Sequence, residues 1–295
     1  MTILVTGGAG FIGKELIKRL NHLGYNDIVV IDKKSEYPRL KGVTFSEFYD
    51  YEVILENNNY SFLKGIEFCF HIGANSSTRS EFKEIINSNV AFSLYLFKET
   101  EKRNIPVVFA SSGAVYDNDR KENPMTAYGA TKLLCEKFAS ENVVCLRYHN
   151  VYGATEHHKW DMASMIHKWF YGDTKLFEGS ENILRDFVHV DDINTINIMF
   201  FDFWNKNGKF KEKIYDVGTG KAVSFEEVSK EISKHIKTEY CIIPNPYHKI
   251  TYQFYTKANI EPIAELYKET YSKNFSPISI KDGVEKVYIC LQNKN

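Results

Sequence analysis

The sequence predicts an α/β fold: a doubly wound parallel sheet with a smaller, partly interleaved C-terminal lobe. Three observations predict it. Short, almost purely apolar runs recur along the first half, amphipathic stretches lie between them, and a glycine-rich turn joins the first run to the first amphipathic stretch.

Residues 3–6, 28–31, 68–72, 107–110 and 143–146 are β-branched or aromatic and nearly uninterrupted. Continuous apolar strands are buried on both faces, which is the habit of parallel sheets. Between them, residues 11–23 place Ile12, Leu16, Ile17 and Leu20 on one helical face. Residues 87–102 and 128–141 read the same way. The alternation of strand and helix argues for crossover connections and helices on both sides of one sheet. Beyond Tyr148 that beat is lost until residues 191–204 read as a helix and residues 214–217 as one more strand.

Composition bounds the function. The chain has 295 residues, 43% hydrophobic and 25% charged, and a formal net charge of -1. This is ordinary for a soluble globular protein and offers no attraction to nucleic acid or to an anionic membrane surface. The five cysteines, Cys69, Cys135, Cys145, Cys241 and Cys290, form no CxxC pair, and most sit in apolar runs. They are expected to be reduced. The apolar run at the N-terminus is too short for a signal segment or a membrane span, so a cytoplasmic location is expected.

Gly7-Gly8-Ala9-Gly10-Phe11-Ile12-Gly13 follows the first strand and opens the first helix. Gly7 permits a tight turn, Gly10 lets the backbone approach a pyrophosphate, and Gly13 lets helix and strand pack closely. The amides at the helix start then face the anion. Asp32 stands at the end of the second strand, 19 residues after Gly13. There it is placed to bond the adenosine ribose hydroxyls. This is a Rossmann-type dinucleotide site, predicted to occupy residues 1–148 and 187–218, with a substrate lobe formed by 149–186 and 219–295. Asp32 favours NAD; Lys33 and Lys34 could neutralise a 2′-phosphate and favour NADP. The sequence leaves the two cofactors open.

Tyr128-Gly129-Ala130-Thr131-Lys132 places a phenol and an ammonium on one helical face. A free tyrosine titrates near ~10, too high for a base at neutral pH. The ammonium and an oxidised nicotinamide are expected to bring it down. Ser112 follows the strand at 107–110, at the carboxyl end where ligands bind in open α/β sheets. Its hydroxyl can hold a substrate hydroxyl beside Tyr128.

The order of the glycine loop, Asp32, His71-Ile72-Gly73-Ala74, Ser111-Ser112-x-x-x-Tyr116 and Tyr128-x-x-x-Lys132 resembles the extended short-chain dehydrogenases. The second half is similar to their ADP-glycero-manno-heptose 6-epimerase branch, through residues 147–153, Glu156-His157-His158-Lys159 running on to Met162-Ala163-Ser164, residues 176–182, Arg185-Asp186-Phe187-Val188 and Tyr252-Gln253-x-Tyr255. The resemblance covers nearly the whole chain. It implies an epimerase that oxidises a nucleotide-diphosphate sugar to a transient ketone with a tightly bound NAD or NADP, then returns the hydride.

By position, the resemblance implies Tyr128 and Lys159 as the two acid–base residues, with Ser112 and Lys132 assisting Tyr128. Asn89 and Val151 would help place the nicotinamide. Asp50 and Tyr51 would lie near the adenine, and Ile72, Gly73, Ala74, Asn75 and Ser76 along the cofactor. Asn150, Asp161, Phe177, Glu178, Gly179, Ser180, Arg185 and Tyr252 would line the nucleotide-sugar pocket. A diphosphate clamp suits arginine in its own right. The helices at 87–102 and 128–141 resemble a pair that joins subunits, which implies a homodimer or higher homo-oligomer.

Several positions depart from the branch. Trp160 and Asp161 replace small residues, His149 replaces an aromatic, and Asp117 stands where glycine is common. These changes spare the redox machinery and bear on the sugar. A 4-epimerase or a C4 dehydrogenase of the same fold is the competing enzyme, and a dinucleotide sensor without turnover is the competing non-enzyme. A 4,6-dehydratase carries acids after the strand-end hydroxyl residue, where this chain has Gly113 and Ala114. Adjacent His157 and His158 seldom share one ion, so no metal site is expected. Asp191 and Asp192 are expected to cap the following helix.

Overall fold

The computed structural model describes residues 1–76, 82–246 and 252–293, without the side chains of Phe82, Trp160 and Asp161. The described residues form two compact units. The first comprises residues 1–112, 127–147 and 194–215; the second comprises 113–126, 148–193 and 216–295.

The first unit begins with β1 (Thr2–Thr6), α1 (Phe11–His22), β2 (Ile28–Asp32), β3 (Glu47–Asp50) and α2 (Tyr51–Asn57). It continues with β4 (Ile66–His71), a helical stretch, β5 (Val107–Ser112), α5 (Ala127–Lys137) and β6 (Val143–Tyr148). The helical stretch consists of α3 (Phe82–Ile85), a π-helical segment (Ile86–Ala91) and α4 (Phe92–Glu101). In the second half come β7 (Asn150–Tyr152), α6 (Met165–Phe170), β8 (Lys175–Phe177), β9 (Leu184–Arg185), β10 (Phe187–His189), α7 (Val190–Asn207) and β11 (Ile214–Val217). The chain ends through β12 (Val223–Ser224), α8 (Phe225–Ile232), β13 (Cys241–Ile243), α9 (Glu261–Tyr271) and α10 (Ile280–Gln292).

Among the described residues, seven strands build one parallel sheet in the order β11-β6-β5-β4-β1-β2-β3. The expected doubly wound order is present: the chain runs outward from β1 to β3, then crosses back to β4 beside β1. The switch point between β1 and β4 places their carboxyl ends, Thr6 and His71, opposite each other. Ligands bind at such a crevice. Ile3, Leu4 and Val5 are fully buried, as continuous apolar strands must be. The edge strand β3 went unpredicted. Its four residues, Glu-Phe-Tyr-Asp, are all at least partly exposed and show neither an apolar run nor alternation.

In α1, Phe11, Gly13, Leu16, Ile17 and Leu20 turn inward at the expected helical spacing. Arg19 and His22 in its last turn complement the helix dipole. Truncating Leu16 to alanine would cost about 2–5 kcal/mol of stability, the usual range for a buried leucine. Phe200, Phe201 and Phe203 of α7 are core residues.

The second unit has its own core, in which Tyr152, Ile166, Trp169, Leu176, Phe187, Val228, Ile232, Val284 and Val287 cluster. Short paired strands frame it: β7 with β10 and β8 with β13 in parallel, β9 with β12 antiparallel. A capping box between Ser224 and Glu227 starts α8. Asp191 and Asp192 lie in the first turn of α7, near its positive end. They are tied to Lys286 and to the Ile278 amide respectively, so they act in helix anchoring.

Candidate active site

In the first unit the glycine loop is shaped by contacts that a side chain would destroy. Gly7 has φ of 68°, and a Cβ there would lie 2.5 Å from Gly73 Cα. A Cβ on Gly13 would collide with the Gly7 carbonyl oxygen. Gly10 precedes α1 and gives it no side-chain cap, and a helix N-terminus of this kind favours an anion. Asp32 lies against this loop. Its Oδ2 accepts from the Ala9 amide (2.8 Å) and its Oδ1 from the Lys33 amide (2.8 Å). Burial pushes its carboxyl above the usual range, against the pull of those amides. Phe11 is buried under the loop and Ile12 sits beside it, partly exposed.

Lys33 points to carboxylates: its Nζ is 3.3 Å from Glu84 and 3.7 Å from Glu52. Asp50 pairs with Asp32 across the strands and caps α2 by accepting from the Glu52 amide. Tyr51 packs edge-on against Phe92.

Buried polar groups tie the switch point together. Thr6 Oγ1 accepts from the Gly73 amide (3.1 Å) and bonds His71 Nδ1 (2.6 Å). His71 Nε2 reaches Ser93 Oγ (2.8 Å), which donates to the Asn89 carbonyl (2.6 Å). Burial, with help from the Lys132 charge, pushes His71 down to about 3, so its ring is neutral at ordinary pH. Asn89 is buried in the π-helical segment, a feature common at functional sites. Its side chain accepts from the Asn75 amide (2.7 Å), donates to the Asn75 carbonyl (2.9 Å) and reaches Thr131 Oγ1 (3.3 Å). Asn89 therefore fixes the strip Ile72, Gly73, Ala74, Asn75, Ser76 against α5. Sequence reasoning missed the Thr6–His71–Ser93 chain, because each member reads as an ordinary core or helix residue.

Ser112 is the last residue of β5 and hydrogen-bonds Tyr128 on α5. Lys132, one helical turn on, is 1% exposed. Its Nζ donates to the Ala110 carbonyl (2.7 Å) and lies 4.5 Å from the Phe109 ring centroid and 5.8 Å from that of Tyr128. The structure places Ser112 at the end of β5 and Tyr128 and Lys132 on α5. Burial pushes Tyr128 up to about 12, with only the Ser112 hydrogen bond pulling down. Burial also pulls Lys132 down to about 8. Burial outweighs the Ser112 hydrogen bond, so the chain alone does not make Tyr128 a phenolate.

The second unit holds the other expected residues, and Val151 belongs there too, on β7. Lys159 lies on a short 3₁₀ turn, its Nζ 3.3 Å from Glu156 Oε2. Glu156 is fully buried and accepts from the Gly153 amide (3.1 Å), the Ser164 amide (2.8 Å) and Ser164 Oγ (2.7 Å). This carboxylate was missed, since a glutamate beside two histidines reads as surface. The Asp161 side chain lies outside the described residues.

Arg185 is buried, with its guanidinium carbon 5.0 Å from the Tyr252 ring centroid. Burial lowers its pKa, yet a guanidinium stays charged. Its Nη1 makes no hydrogen bond among the described residues. A buried cationic donor of that kind calls for an anion. Phe177 ends β8, Glu178 is exposed, Gly179 adopts φ of 77° and Ser180 is buried. Asn150 Oδ1 accepts from Thr256 Oγ1 (3.0 Å).

Asp186 is a hub that sequence reasoning passed over. Its carboxylate accepts from the Thr219 amide and hydroxyl, the Gly220 amide and the Ala258 amide, at 2.6–3.0 Å. It thereby fixes the backbone that carries Arg185. Gln253 and Asn118 do the same for Tyr252: Gln253 Nε2 donates to the Gly113 and Tyr116 carbonyls, and Asn118 Nδ2 to the Tyr252 carbonyl. His149, one of the departures, stacks on Tyr116 and stands 4.0 Å from Asp216. Among the described residues no group of three or more His, Cys, Asp or Glu is arranged to hold a metal ion.

The model of the NAD dependent epimerase/dehydratase family matches residues 3–218. The chain belongs to that family. Within the epimerase/dehydratase family it is 35% identical to the ADP-L-glycero-D-manno-heptose-6-epimerase of Brachyspira hyodysenteriae, over 96% of each chain. The crystal structure of the Helicobacter pylori ADP-L-glycero-D-manno-heptose-6-epimerase superposes with a TM-score of 0.80 at 26% identity, covering 99% of this chain and 96% of that one. The Thermotoga maritima UDP-glucose 4-epimerase shares the fold, with a TM-score of 0.78 at 23% identity and 100% and 99% coverage. The residues present fit a dinucleotide. The glycines let β1, α1 and the Gly73 backbone approach closely, α1 begins without a side-chain cap, and the Asp32 carboxylate accepts from the loop amide of Ala9.

Proposed function

We propose that this chain is a nucleotide-diphosphate-heptose 6-epimerase. The observation that carries the reading is the Ser112–Tyr128–Lys132 arrangement, found in a chain 35% identical to a heptose 6-epimerase along almost its whole length. Gly7, Gly10, Phe11, Ile12, Gly13, Asp32, Asp50, Tyr51 and the strip from Ile72 to Ser76 hold the dinucleotide. Asn89, Lys132 and Val151 place its nicotinamide. When bound, this group accepts a hydride from the sugar and returns it.

The chain's own residues manage protons and charge. Tyr128 removes the hydroxyl proton in one direction and restores it in the other. Ser112 bonds its phenolic oxygen, and the charge on Lys132 favours phenolate once positive charge is added nearby. Lys159, braced by Glu156, serves as the second acid–base group, so each face of a transient ketone has its own proton partner. Arg185 clamps the diphosphate with its unpaired Nη1, while Asn150, Phe177, Glu178, Gly179, Ser180 and Tyr252 shape the sugar-nucleotide pocket.

Among the described residues no helix is long and apolar enough to cross a membrane. We place the enzyme in the cytoplasm, in keeping with its unpaired cysteines. We also propose a homodimer or higher homo-oligomer. Tyr95 on α4 and Leu134 on α5 leave large apolar side chains exposed, as does Phe138 just beyond α5. Sedimentation as a monomer at micromolar concentration would contradict the assembly.

The function is tested by incubating purified protein with ADP- and GDP-linked glycero-manno-heptose and no added cofactor. Appearance of the C6 epimer by proton NMR supports the reading. A C4-inverted product or a released ketone would instead mark a 4-epimerase or a C4 dehydrogenase.

A further inference from the structure

Lys132 is not the last functional residue on its face of α5. Tyr128, Lys132 and Glu136 follow one another at four-residue steps, so they share one stripe of the helix. Glu136 is buried and paired with buried Arg147 of β6: Arg147 Nε donates to Oε1 (2.9 Å) and Nη2 to Oε2 (2.6 Å). Ser111 Oγ donates to the same Oε1 at 2.5 Å. Ser111 is the residue before Ser112, so one carboxylate ties α5, β5 and β6 together where the redox site stands.

A pair of this kind is a poor source of net stability. The desolvation of both ions offsets most of their attraction, and apolar residues of equal volume serve as well. Its place suggests another task. We propose that the Glu136–Arg147 pair, closed by Ser111, is the positioning device that sets the Tyr128–Lys132 stripe against the end of β5 and keeps the proton on Lys132.

The surroundings of Lys132 leave that second task to Glu136. From β5 it meets a carbonyl and a ring, those of Ala110 and Phe109. From β4 comes His71, neutral at ordinary pH. From α5 come Tyr128, Cys135 and Glu136; from β6 come Cys145 and, bound to Glu136, Arg147. Burial pushes both thiols up, so they too are neutral. Among these groups Glu136 carries the negative charge that opposes loss of the ammonium proton, against the burial that draws Lys132 down to about 8.

The inference rests on the redox-site reading of Tyr128 and Lys132, and its test does not need the sugar to be known. Lysine is labelled with ¹³C at Cε, and the Lys132 resonance is identified by its loss in Lys132→Met. In Glu136→Gln, which keeps the shape and can still bond Ser111, the Lys132 titration midpoint should fall by about one pH unit. The alkaline limb of turnover should fall with it. The double variant Glu136→Gln, Arg147→Met guards against a folding defect, because it leaves no lone buried charge, and should show a smaller fall, since a positive charge is lost with the negative one. An unchanged Lys132 midpoint in the folded variants overturns the proposal, whatever the sugar turnover. A shifted midpoint in a protein that epimerises no heptose upholds it and instead overturns the assigned reaction.

Discussion

Lys132 and Lys159 are both proposed to serve the reaction, Lys132 by assisting Tyr128 and Lys159 as an acid–base group, and the chain treats them differently. Lys132 is 1% exposed, fixed by a backbone carbonyl and an aromatic ring, and burial pulls its pKa down to about 8. Lys159 has a side chain 27% exposed on a short 3₁₀ turn and pairs with the Glu156 carboxylate. The first sits on α5 and is bonded to the carbonyl of Ala110 on β5, which fixes it before any ligand arrives. The second sits on a short 3₁₀ turn, where a change of sequence disturbs less of the fold. On the proposed function, reaction type belongs to the buried lysine's surroundings and substrate choice to the exposed turn.

The largest expected effect breaks the rigid side. Lys132→Met should lower turnover by about 10³–10⁴-fold while dinucleotide binding, followed by fluorescence, persists. Lys159→Met should cost less, about 10²-fold in kcat with KM nearly unchanged. Equal losses would erase the distinction between the two lysines. Arg185→Met should act on binding: KM for the nucleotide sugar rises about 10–100-fold and kcat changes little.

The buried ammonium also has a cost in stability. Lys132 holds its proton less tightly in the folded chain, at about 8, than the ordinary lysine value of 10.5. Between those two pH values the unfolded chain binds more protons, so stability should rise with pH across that window. Lys132→Met should therefore be more stable than the parent near neutral pH, by about 1–3 kcal/mol, with the gain shrinking above pH ~8 in denaturant titrations. The smallest effect is at Lys33. Its ion pairs with Glu52 and Glu84 are exposed and worth only ~0–1 kcal/mol, so Lys33→Ala should change NAD affinity by less than about 3-fold.

The redox half was legible because its demands are local. A Cβ on Gly7 or Gly13 meets backbone, an acid must end β2, and Tyr128 and Lys132 are one helical turn apart. Glu136 could have been found by extending that spacing one more turn, but a glutamate in a helix reads as solvent-facing until Arg147 is seen across from it. Asp186 and Glu156 were hidden for the same reason, since their partners come from distant segments or from backbone amides. The raised pKa of Tyr128 was out of reach because burial is a property of packing. The short strands of the second unit run two or three residues, too few for any periodicity to show.

The central claim is that a hydride leaves the sugar and returns to the same carbon while Tyr128 and Lys159 handle only hydroxyl protons. Proton NMR of the heptose substrate in deuterated water, with no added cofactor, tests it most directly. The account predicts that the C6 epimer accumulates with hydrogen retained at C6. Deuterium at C6 would mean proton abstraction from carbon and would contradict the account, as would epimerisation that continues undiminished in Tyr128→Phe.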